Sequence, residues 1–351
     1  MKIVFRTSGG RIPKRELGLG HIYRCINLSK ELTSHKITFL IEDYGSVSSV
    51  LKQNNLKTIK LKPGLTENLD IKKTVEFVNE NKVDIVIIDK YGLTNRYVQA
   101  IKKITKVVVI SDLRNIQYDA DLVINGFIGY KNKILRNKYG TKCLLGPAYQ
   151  IINSKHTNTQ DLDKNKIDIL VTFGGFDSAN IIPVLIKSLK NCIGKNKIKI
   201  ILGPSTKKTK ELTKMIQKYK KQIAVIQETS NMHKEISHAK FGFCGGGITA
   251  YEFAHMKTPF AMICQYKHQL IAAREWKKLG LALNLGLLDK STPLKIQNII
   301  NDLEKTRVAL KPKRIIVDGL GSSRIRKEIL DINYNMYDDC RVAKNSMSVT
   351  Q

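Results

Sequence analysis

The sequence lacks the cysteine and histidine patterns of metal sites and disulfide frameworks. Its six cysteines form no C-x-x-C pair, and several stand in apolar runs, where cysteine behaves as a small hydrophobic residue. Its seven histidines form no H-x-x-x-H pair beside an acidic residue. We therefore expect neither a disulfide framework nor a metal, and no other cofactor.

Long apolar runs are also missing. None approaches the roughly 20 residues that a helix needs to cross a bilayer. Residues 1–5 form a short strand-like run followed by polar residues, which differs from the apolar core of a signal peptide. These features predict a soluble, cytoplasmic protein.

Acidic residues are few beside the basic ones, since 30 Asp and Glu face 60 Lys and Arg and leave a formal charge of +30. Clustered basic residues would indicate nucleic-acid binding. The lysines here are scattered along helix-like faces, with no nucleic-acid module or aromatic platform beside them. We interpret them as a solvated surface and expect no nucleic-acid partner; peripheral attraction to an anionic membrane or to anionic substrates is the main functional alternative.

Short β-branched runs alternate with amphipathic segments along most of the chain, which is typical of parallel sheets covered by helices. A length of 351 residues favours two domains. We predict a Rossmann-like N-terminal domain at residues 1–153, a polar linker at 154–160, a Rossmann-like C-terminal domain at 161–330 and a weakly ordered tail at 331–351. The predicted strands are 2–6, 36–41, 84–89, 106–111, 122–125, 167–173, 198–202, 223–227, 241–244, 260–263 and 282–285, and the first-half helices are 23–34, 45–54, 68–81 and 95–103.

Ligands of open parallel sheets bind beyond the carboxyl ends of the strands, so the loops there are the candidate sites. The predicted loop at residues 6–24 ends in Gly18-Leu19-Gly20-His21, where glycines allow an anion close to the backbone. We expect the helix start to lower the pKa of His21, as a general base at neutral pH requires. The spacing fits equally well with a His21 that only caps or packs the first turn.

Two further loops of the first half carry carboxylates at strand ends. Asp89-Lys90-Tyr91-Gly92 follows an apolar strand, and Ser111-Asp112 follows the next one. Asp89 and Tyr91 together suit the orientation of a substrate hydroxyl or a catalytic imidazole. Taken alone, Asp89 fits a loop or capping role as well.

The second half places a glycine run at a strand end. Gly245-Gly246-Gly247 enters a helix that carries Thr249 and Glu252, and Gly174-Gly175 follows another strand. This pattern predicts a diphosphate on the glycines and a ribose at Glu252; the alternative is a tight turn with a solvated glutamate. Neither the G-x-G-x-x-G fingerprint of NAD-binding proteins nor a P-loop is present.

Several separated motifs resemble those of the UDP-2,4-diacetamido-2,4,6-trideoxy-β-L-altropyranose hydrolases and of related spore-coat polysaccharide proteins. The matching segments run in the family's order over roughly residues 1 to 330. They are Gly18-x-Gly20-His21-x-x-Arg24, Asp89-Lys90-Tyr91-Gly92, Gly146-Pro147-Ala148-Tyr149, Phe173-Gly174-Gly175-Phe176-Asp177 and Asp318-Gly319-Leu320-Gly321-Ser322-Ser323-Arg324.

The resemblance implies a GT-B-like fold, with two Rossmann-like domains facing across a cleft and UDP held mainly by the C-terminal one. It implies His21 and Tyr91 as the catalytic pair supported by Asp89, with Glu252 on the ribose. It also implies substrate contacts for Gly20, Arg24, Tyr149, His268 and Gln269.

Three positions depart from the family pattern, and all three bear on the sugar. Ser8 stands where the family has Asp, Lys90 replaces the commoner His, and Asn153 lies where an Arg tends to occur. The leading hypothesis is metal-free hydrolysis of a UDP-linked amino-deoxy sugar for pseudaminic-type nonulosonic acid synthesis. The alternatives are a glycosyltransferase of the same architecture and a non-catalytic nucleotide-sugar-binding protein.

Overall fold

The computed structural model describes residues 1–12, 15–45, 47–112, 115–153, 167–190, 196–204, 206, 208–221, 223–229, 231–310 and 316–332. The chain divides into two compact units. Unit 1 comprises Met1–Leu17, His21–Ile151 and the chain from Leu320 onward, and unit 2 comprises Gly18–Gly20 and Ile152–Gly319.

Unit 1 is a twisted sheet with helices between its strands. In chain order its elements are β1 (Lys2–Ile12), β2 (Arg15–Gly18), α1 (Gly20–Ser29), β3 (Lys36–Tyr44), α2 (Val47–Gln53), β4 (Thr58–Leu61), α3 (Glu67–Asn81), β5 (Ile85–Asp89), α4 (Asn95–Lys102), β6 (Lys106–Ile110), β7 (Leu122–Asn125), β8 (Lys133–Arg136) and β9 (Lys142–Leu145). A short 3-10 helix at Pro147–Tyr149 follows, and residues 321–332 are helical.

The described strands of unit 1 lie in the order β4-β3-β1-β5-β6-β7-β9-β8, with β2 paired to β1. The pairs from β4 to β9 are parallel, and β8 is antiparallel to β9. The chain winds outward from β1 in one direction and then from β5 in the other. The boundary between β1 and β5 is therefore the topological switch point, where such sheets bind ligands.

Unit 2 repeats this architecture. Its elements are β10 (Ile167–Thr172), α5 (Ile181–Leu189), β11 (Ile198–Leu202), α6 (Lys210–Lys218), β12 (Ile223–Gln227), α7 (Met232–Ser237), β13 (Ala239–Cys244), α8 (Ile248–His255), β14 (Phe260–Cys264), α9 (Gln269–Lys278), β15 (Ala282–Leu287), α10 (Thr292–Asn301) and α11 (Leu303–Ala309). The parallel strand order β12-β11-β10-β13-β14-β15 puts the switch point between β10 and β13.

Each unit has its own apolar core on the sheet. In unit 1, Val86, Ile88 and Val109 of the central strands pack with Tyr97 and Ile101 of α4. In unit 2, the strand residues of β10 and β13 pack against α5 and α10, with Leu185 and Ile296 fully buried. Burial on both faces explains why the central strands are continuous apolar runs.

The predicted α/β class with two Rossmann-like domains is confirmed, and several details of the prediction are wrong. The predicted loop at residues 6–24 is strand as far as Ile12, because β1 pairs with β3 up to Gly10 and Tyr44. The prediction also missed four strands of four residues each, β2, β4, β8 and β9.

The unit boundaries also differ from the expected domain limits. The predicted second domain extended to residue 330, whereas the chain from Leu320 onward groups with unit 1, where Lys142 pairs with Glu328. The predicted linker at 154–160 and most of the predicted tail, residues 333–351, lie outside the described residues.

Cys25, Cys143, Cys244 and Cys264 are buried and free. Within the described part of the chain, no helix has the length and apolar character needed to span a membrane.

Candidate functional site

The switch point of unit 1 carries a cluster of charged side chains, which we call the reaction cluster: His21, Arg24, Asp89 and Asp112. Asp89 is the last residue of β5, pairs in register with Thr7 of β1, and is fully buried. His21 and Arg24 lie one helical turn apart in α1, so both reach the same carboxylate. Gly18, with φ of +65°, turns the chain from β2 into this helix.

Short hydrogen bonds connect the reaction cluster. His21 Nδ1 donates to Asp89 Oδ1 over 2.6 Å, and Arg24 donates from Nε and Nη2 to the two Asp89 oxygens over 2.7 and 2.6 Å. Arg24 Nη1 also donates to Asp112 Oδ1 over 2.6 Å. A bidentate guanidinium fixes the carboxylate, and the carboxylate in turn fixes the imidazole, with Nε2 as the ring nitrogen that can take a proton.

The expected lowering of the His21 pKa is wrong. Burial, the largest single influence, does lower the pKa of His21, and the positive charge of Arg24 lowers it as well. The charge and hydrogen bond of Asp89, together with the charge of Asp112, outweigh both effects and raise this pKa above its ordinary value of 6.5. The nearby carboxylates therefore matter more than the helix start.

His21, Asp89 and Asp112 offer ligand atoms within 4.8 Å of one another, which is close enough for a metal ion. The Arg24 guanidinium already supplies a positive charge to both carboxylates. The donor set therefore suits an ion-paired arginine better than a metal, and the metal-free mechanism stays a prediction.

Tyr91 and Tyr149 lie apart from the hydrogen bonds of the reaction cluster. The Tyr91 side chain is 68 % exposed, and within the described part of the chain it makes no hydrogen bond to His21 or Asp89. Tyr149 ends the short 3-10 helix, where Arg324 donates to the neighbouring Ala148 carbonyl over 2.8 Å. The sequence-predicted roles of both tyrosines remain predictions.

At the switch point of unit 2, two glycine-rich loops stand where unit 1 has its cluster of charged side chains. Gly174-Gly175 follows β10 with Gly174 at φ +74°, and Gly245-Gly246-Gly247 follows β13, with Gly247 as the N-cap of α8. A Cβ on Gly247 would meet nothing within 4 Å. Gly174 and Gly247 leave open space beside the backbone, and the start of α8 offers N–H groups, which suits an anion such as a diphosphate.

Two glutamines hold these loops together, and the sequence pattern indicated only the second. Gln265, just after β14, donates to the Phe173 carbonyl over 3.2 Å and accepts from the Ser178 N–H over 2.6 Å. Gln269 accepts from the Gln265 N–H over 2.7 Å. The position of Gln265 at the same sheet edge as the glycine loops is the signal that would have found it.

Glu252 lies in α8 and its carboxyl is largely buried, with 13 % of the side chain exposed. Burial raises its pKa to about 7. His233 Nε2 lies 3.9 Å from Glu252 Oε1, a pairing of α7 with α8 that the sequence pattern did not predict. Thr249 is buried in the first turn of α8, while the His268 ring stacks on Tyr266 at 5.5 Å.

The chain matches no protein-family model. It is 25% identical to the spore coat polysaccharide biosynthesis protein SpsG of Bacillus subtilis over 330 residues, covering 90% of this chain and 95% of that protein. It is 23% identical to the UDP-2,4-diacetamido-2,4,6-trideoxy-beta-L-altropyranose hydrolase of Campylobacter jejuni, and the match covers 80% of this chain and 97% of that protein. An uncharacterized protein of Methanocaldococcus jannaschii is 27% identical over 77% of this chain, and the match spans 57% of that longer relative.

Solved structures agree on the fold at low sequence identity. The calicheamicin glycosyltransferase CalG4 superposes with a TM-score of 0.65 at 12% identity over 95% of this chain and 98% of its own. MurG of Acinetobacter baumannii superposes with a TM-score of 0.60 at 15% identity, over 94% of this chain and 100% of its own. The fold is therefore GT-B-like, and the chain resembles the diacetamido-sugar hydrolase and SpsG, as its motifs predicted.

Proposed function

We propose that this chain hydrolyses a UDP-linked amino-deoxy sugar at its anomeric carbon, releasing UDP and the free sugar. The observation that carries the proposal is the His21 to Asp89 hydrogen bond of 2.6 Å at the switch point of unit 1. A histidine whose Nδ1 is fixed by a buried carboxylate presents Nε2 as a base, which is the arrangement that activates a water molecule.

In the proposed reaction, a water oxygen attacks the anomeric carbon while His21 Nε2 takes its proton. The bond between that carbon and the β-phosphate oxygen breaks, and UDP leaves with the electron pair. UDP is a good leaving group, so the step needs little acid catalysis. Asp89 stabilises the imidazolium that forms, and Arg24 holds Asp89 in place.

The glycine loops of unit 2 are the proposed diphosphate site. Gly174, Gly175 and Gly245 to Gly247 supply N–H groups where negative charge develops on the leaving group. Glu252 is proposed to bind the ribose. MnaA of S. aureus, which shares the fold with a TM-score of 0.60, was solved together with UDP, and this supports UDP as the nucleotide in the proposal.

The sugar class in the proposal comes from the Campylobacter jejuni relative, which is a hydrolase of a UDP-diacetamido sugar. The motif residues His21, Arg24 and Asp89 form one hydrogen-bonded cluster, which supports carrying the reaction over. The free sugar would then feed nonulosonic acid synthesis.

A second candidate function is glycosyl transfer, in which a sugar or lipid hydroxyl replaces water. Its support is the fold likeness to glycosyltransferases such as CalG4. The same base would deprotonate either acceptor, so the two functions differ in whether the UDP-sugar turns over without an added acceptor. A lipid acceptor would also give the basic surface a membrane-docking role.

The test is UDP release from a panel of UDP-amino sugars in EDTA, without acceptor. The hydrolase proposal expects turnover by the wild-type protein and by Asp84→Asn, which changes a carboxylate at the opposite end of β5. It expects loss of turnover in Asp89→Asn. Release only after an acceptor is added would favour the transferase, and UDP binding without any turnover would favour a non-catalytic binding protein.

A further inference from the structure

A second polar group lies at the same sheet edge of unit 1, on the opposite face from α1. Ser8 of β1 pairs in register with Glu42 of β3, and Lys90 directly follows Asp89, whose partner is Thr7. Side chains alternate along strands, so Arg6 and Ser8 share one face of β1. Ser8, Glu42 and Lys90 therefore form a row across three adjacent strands.

The charged side chains of this row form ion pairs with Arg6 and Asp70. Arg6 donates to Asp70 of α3 from Nε over 3.1 Å and from Nη2 over 2.7 Å, and lies 3.2 Å from Glu42. Lys90 also binds Asp70, and Tyr97 donates to it over 3.1 Å. The two cations Arg6 and Lys90 are thus matched in charge by the carboxylates of Glu42 and Asp70.

This wall borders a cavity of about 170 Å³ within unit 1. A cavity of this size has room for several water-sized groups. Ser8, Glu42, Asp70, Lys90 and Tyr91 are among its lining residues. Ser8 is 1 % exposed, and its hydroxyl makes no hydrogen bond to any residue that the structure describes.

Unsatisfied hydrogen-bonding capacity in the cavity includes both donors and acceptors. The Lys90 ammonium has three N–H bonds and its protein hydrogen bond goes to Asp70, and the Ser8 hydroxyl can donate too. The Glu42 carboxylate, held by Tyr44 over 3.2 Å and by Arg6, keeps further lone pairs for an N–H donor. A buried polar wall of this kind requires a partner that both accepts and donates hydrogen bonds.

We propose that this cavity is the subsite for an acylamino substituent of the sugar, with Ser8 and Lys90 as specificity-determining residues. The acyl carbonyl accepts from Lys90 and Ser8, and the amide N–H donates to Glu42. A carboxylate substituent is disfavoured, because Glu42, Asp70 and the nearby Glu67 already offset both cations. This inference rests on the proposed function for the identity of the ligand as a nucleotide sugar.

The test is equilibrium binding by calorimetry, which does not require turnover. The probes are UDP, a UDP-2,4-diacetamido-trideoxy sugar, its counterpart with hydroxyls in place of both acetamido groups, and UDP-glucuronate. We expect the wild-type protein to bind the diacetamido probe about 10- to 100-fold more tightly than the hydroxyl counterpart, since the cavity supplies hydrogen bonds from a charged donor.

Three variants assign that preference to the cavity. Lys90→Met and Ser8→Ala should each lower the preference, the former to about 3-fold or less, while the affinity for UDP stays unchanged. Lys90→Arg retains a positively charged donor, so it should keep part of the preference that Lys90→Met loses. Lys72→Met, at an exposed position of α3, is the matched control and should bind like wild type.

Equal binding of acetamido and hydroxyl probes by the wild-type protein would overturn the proposal, as would a preference that survives both Lys90→Met and Ser8→Ala. Tightest binding of UDP-glucuronate would assign the cavity to a carboxylate and overturn it too. Acylamino-selective binding without UDP release would leave the subsite standing and contradict the hydrolase proposal. The two failures are therefore distinguishable.

Discussion

The two switch points of this chain use the same topology and differ in what they place there. In unit 1 the edge carries fixed charges, with His21, Arg24 and Asp89 held by bonds of 2.6 to 2.7 Å. In unit 2 the edge carries glycines, glutamine side chains and the carboxylates Glu252 and Asp177, of which Asp177 accepts from the first N–H groups of α5.

This difference indicates that the two edges have different roles, one in the reaction and the other in binding the nucleotide. Fixed charges cost free energy to assemble and are useful where charge moves during a reaction. Bare glycine loops offer N–H groups and space, which serve to bind an anion. We therefore expect changes at the unit 1 edge to alter turnover and changes at the unit 2 edge to alter nucleotide binding.

The largest expected effect is on turnover in His21→Ala. Loss of the proposed base should lower kcat by about 10²- to 10⁴-fold, while the affinity for UDP, measured by calorimetry, stays within about 2-fold. His238→Ala, at the end of α7 in unit 2, is the matched control and should keep full activity. A His21→Ala variant with normal turnover would remove the chemical role from the first edge.

The second effect concerns Glu252. Its pKa of about 7 lies above the ordinary 4.5, so the folded protein holds this proton more tightly than the unfolded chain. The free energy of unfolding should therefore fall as the pH rises from about 4.5 through 7, by about 3 kcal/mol.

Glu252→Gln should remove this pH-dependent loss of stability, whereas Glu211→Gln, exposed on α6, should not. Denaturant unfolding of the nucleotide-free protein at pH 5 and pH 8 measures the difference in the free energy of unfolding. The fluorescence of Trp276, buried 5.0 Å from Tyr251, reports on unit 2 directly. The same pH dependence in wild type and Glu252→Gln would show that the carboxyl does not titrate as described.

The third effect separates the neighbouring glycines. A Cβ on Gly247 meets open space, so Gly247→Ala should leave stability unchanged and weaken UDP binding by about 10-fold if the diphosphate takes that space. A Cβ on Gly246 would lie 2.6 Å from the Gln269 Cβ, so Gly246→Ala should cost about 1 to 3 kcal/mol of stability. Unchanged UDP affinity in Gly247→Ala would place the diphosphate elsewhere.

The smallest expected effect is a shift in pH dependence. Because the pKa of His21 is raised, turnover should increase with pH through a pKa above 6.5. The charge of Asp112 helps to raise the pKa of His21. Asp112→Asn should therefore move the rising part of the pH profile to lower pH, and raise relative activity near neutrality by a few-fold at most. The pH profile of kcat/KM measures it, and a shift to higher pH would reverse the assigned sign.

The sequence predicted the architecture well because buried parallel strands are apolar runs and because ligand-binding loops follow them. It placed β7 at residues 122–125 and β11 at residues 198–202, as found. The short strands β4 and β8, which are partly or largely exposed, lacked the apolar pattern that made the others visible.

The site was predictable in its residues and less so in its electrostatics. His21, Arg24 and Asp89 were singled out, yet the direction of the His21 pKa depends on a 2.6 Å contact between residues 68 positions apart. The sequence analysis did not single out Asp70 in helix α3, whose partners Arg6 and Lys90 come from β1 and the end of β5. Tertiary contacts of this kind decide charge behaviour and leave no periodic signal.

The central claim is that water, activated at the charged edge of unit 1, attacks the anomeric carbon. Turnover of a UDP-diacetamido sugar in ¹⁸O-water with EDTA, analysed by mass spectrometry, tests it directly. We expect ¹⁸O in the free sugar and none in UDP, and a turnover rate that falls at least about 100-fold in Asp89→Asn. Label in UDP, or no UDP release without an acceptor, would contradict it.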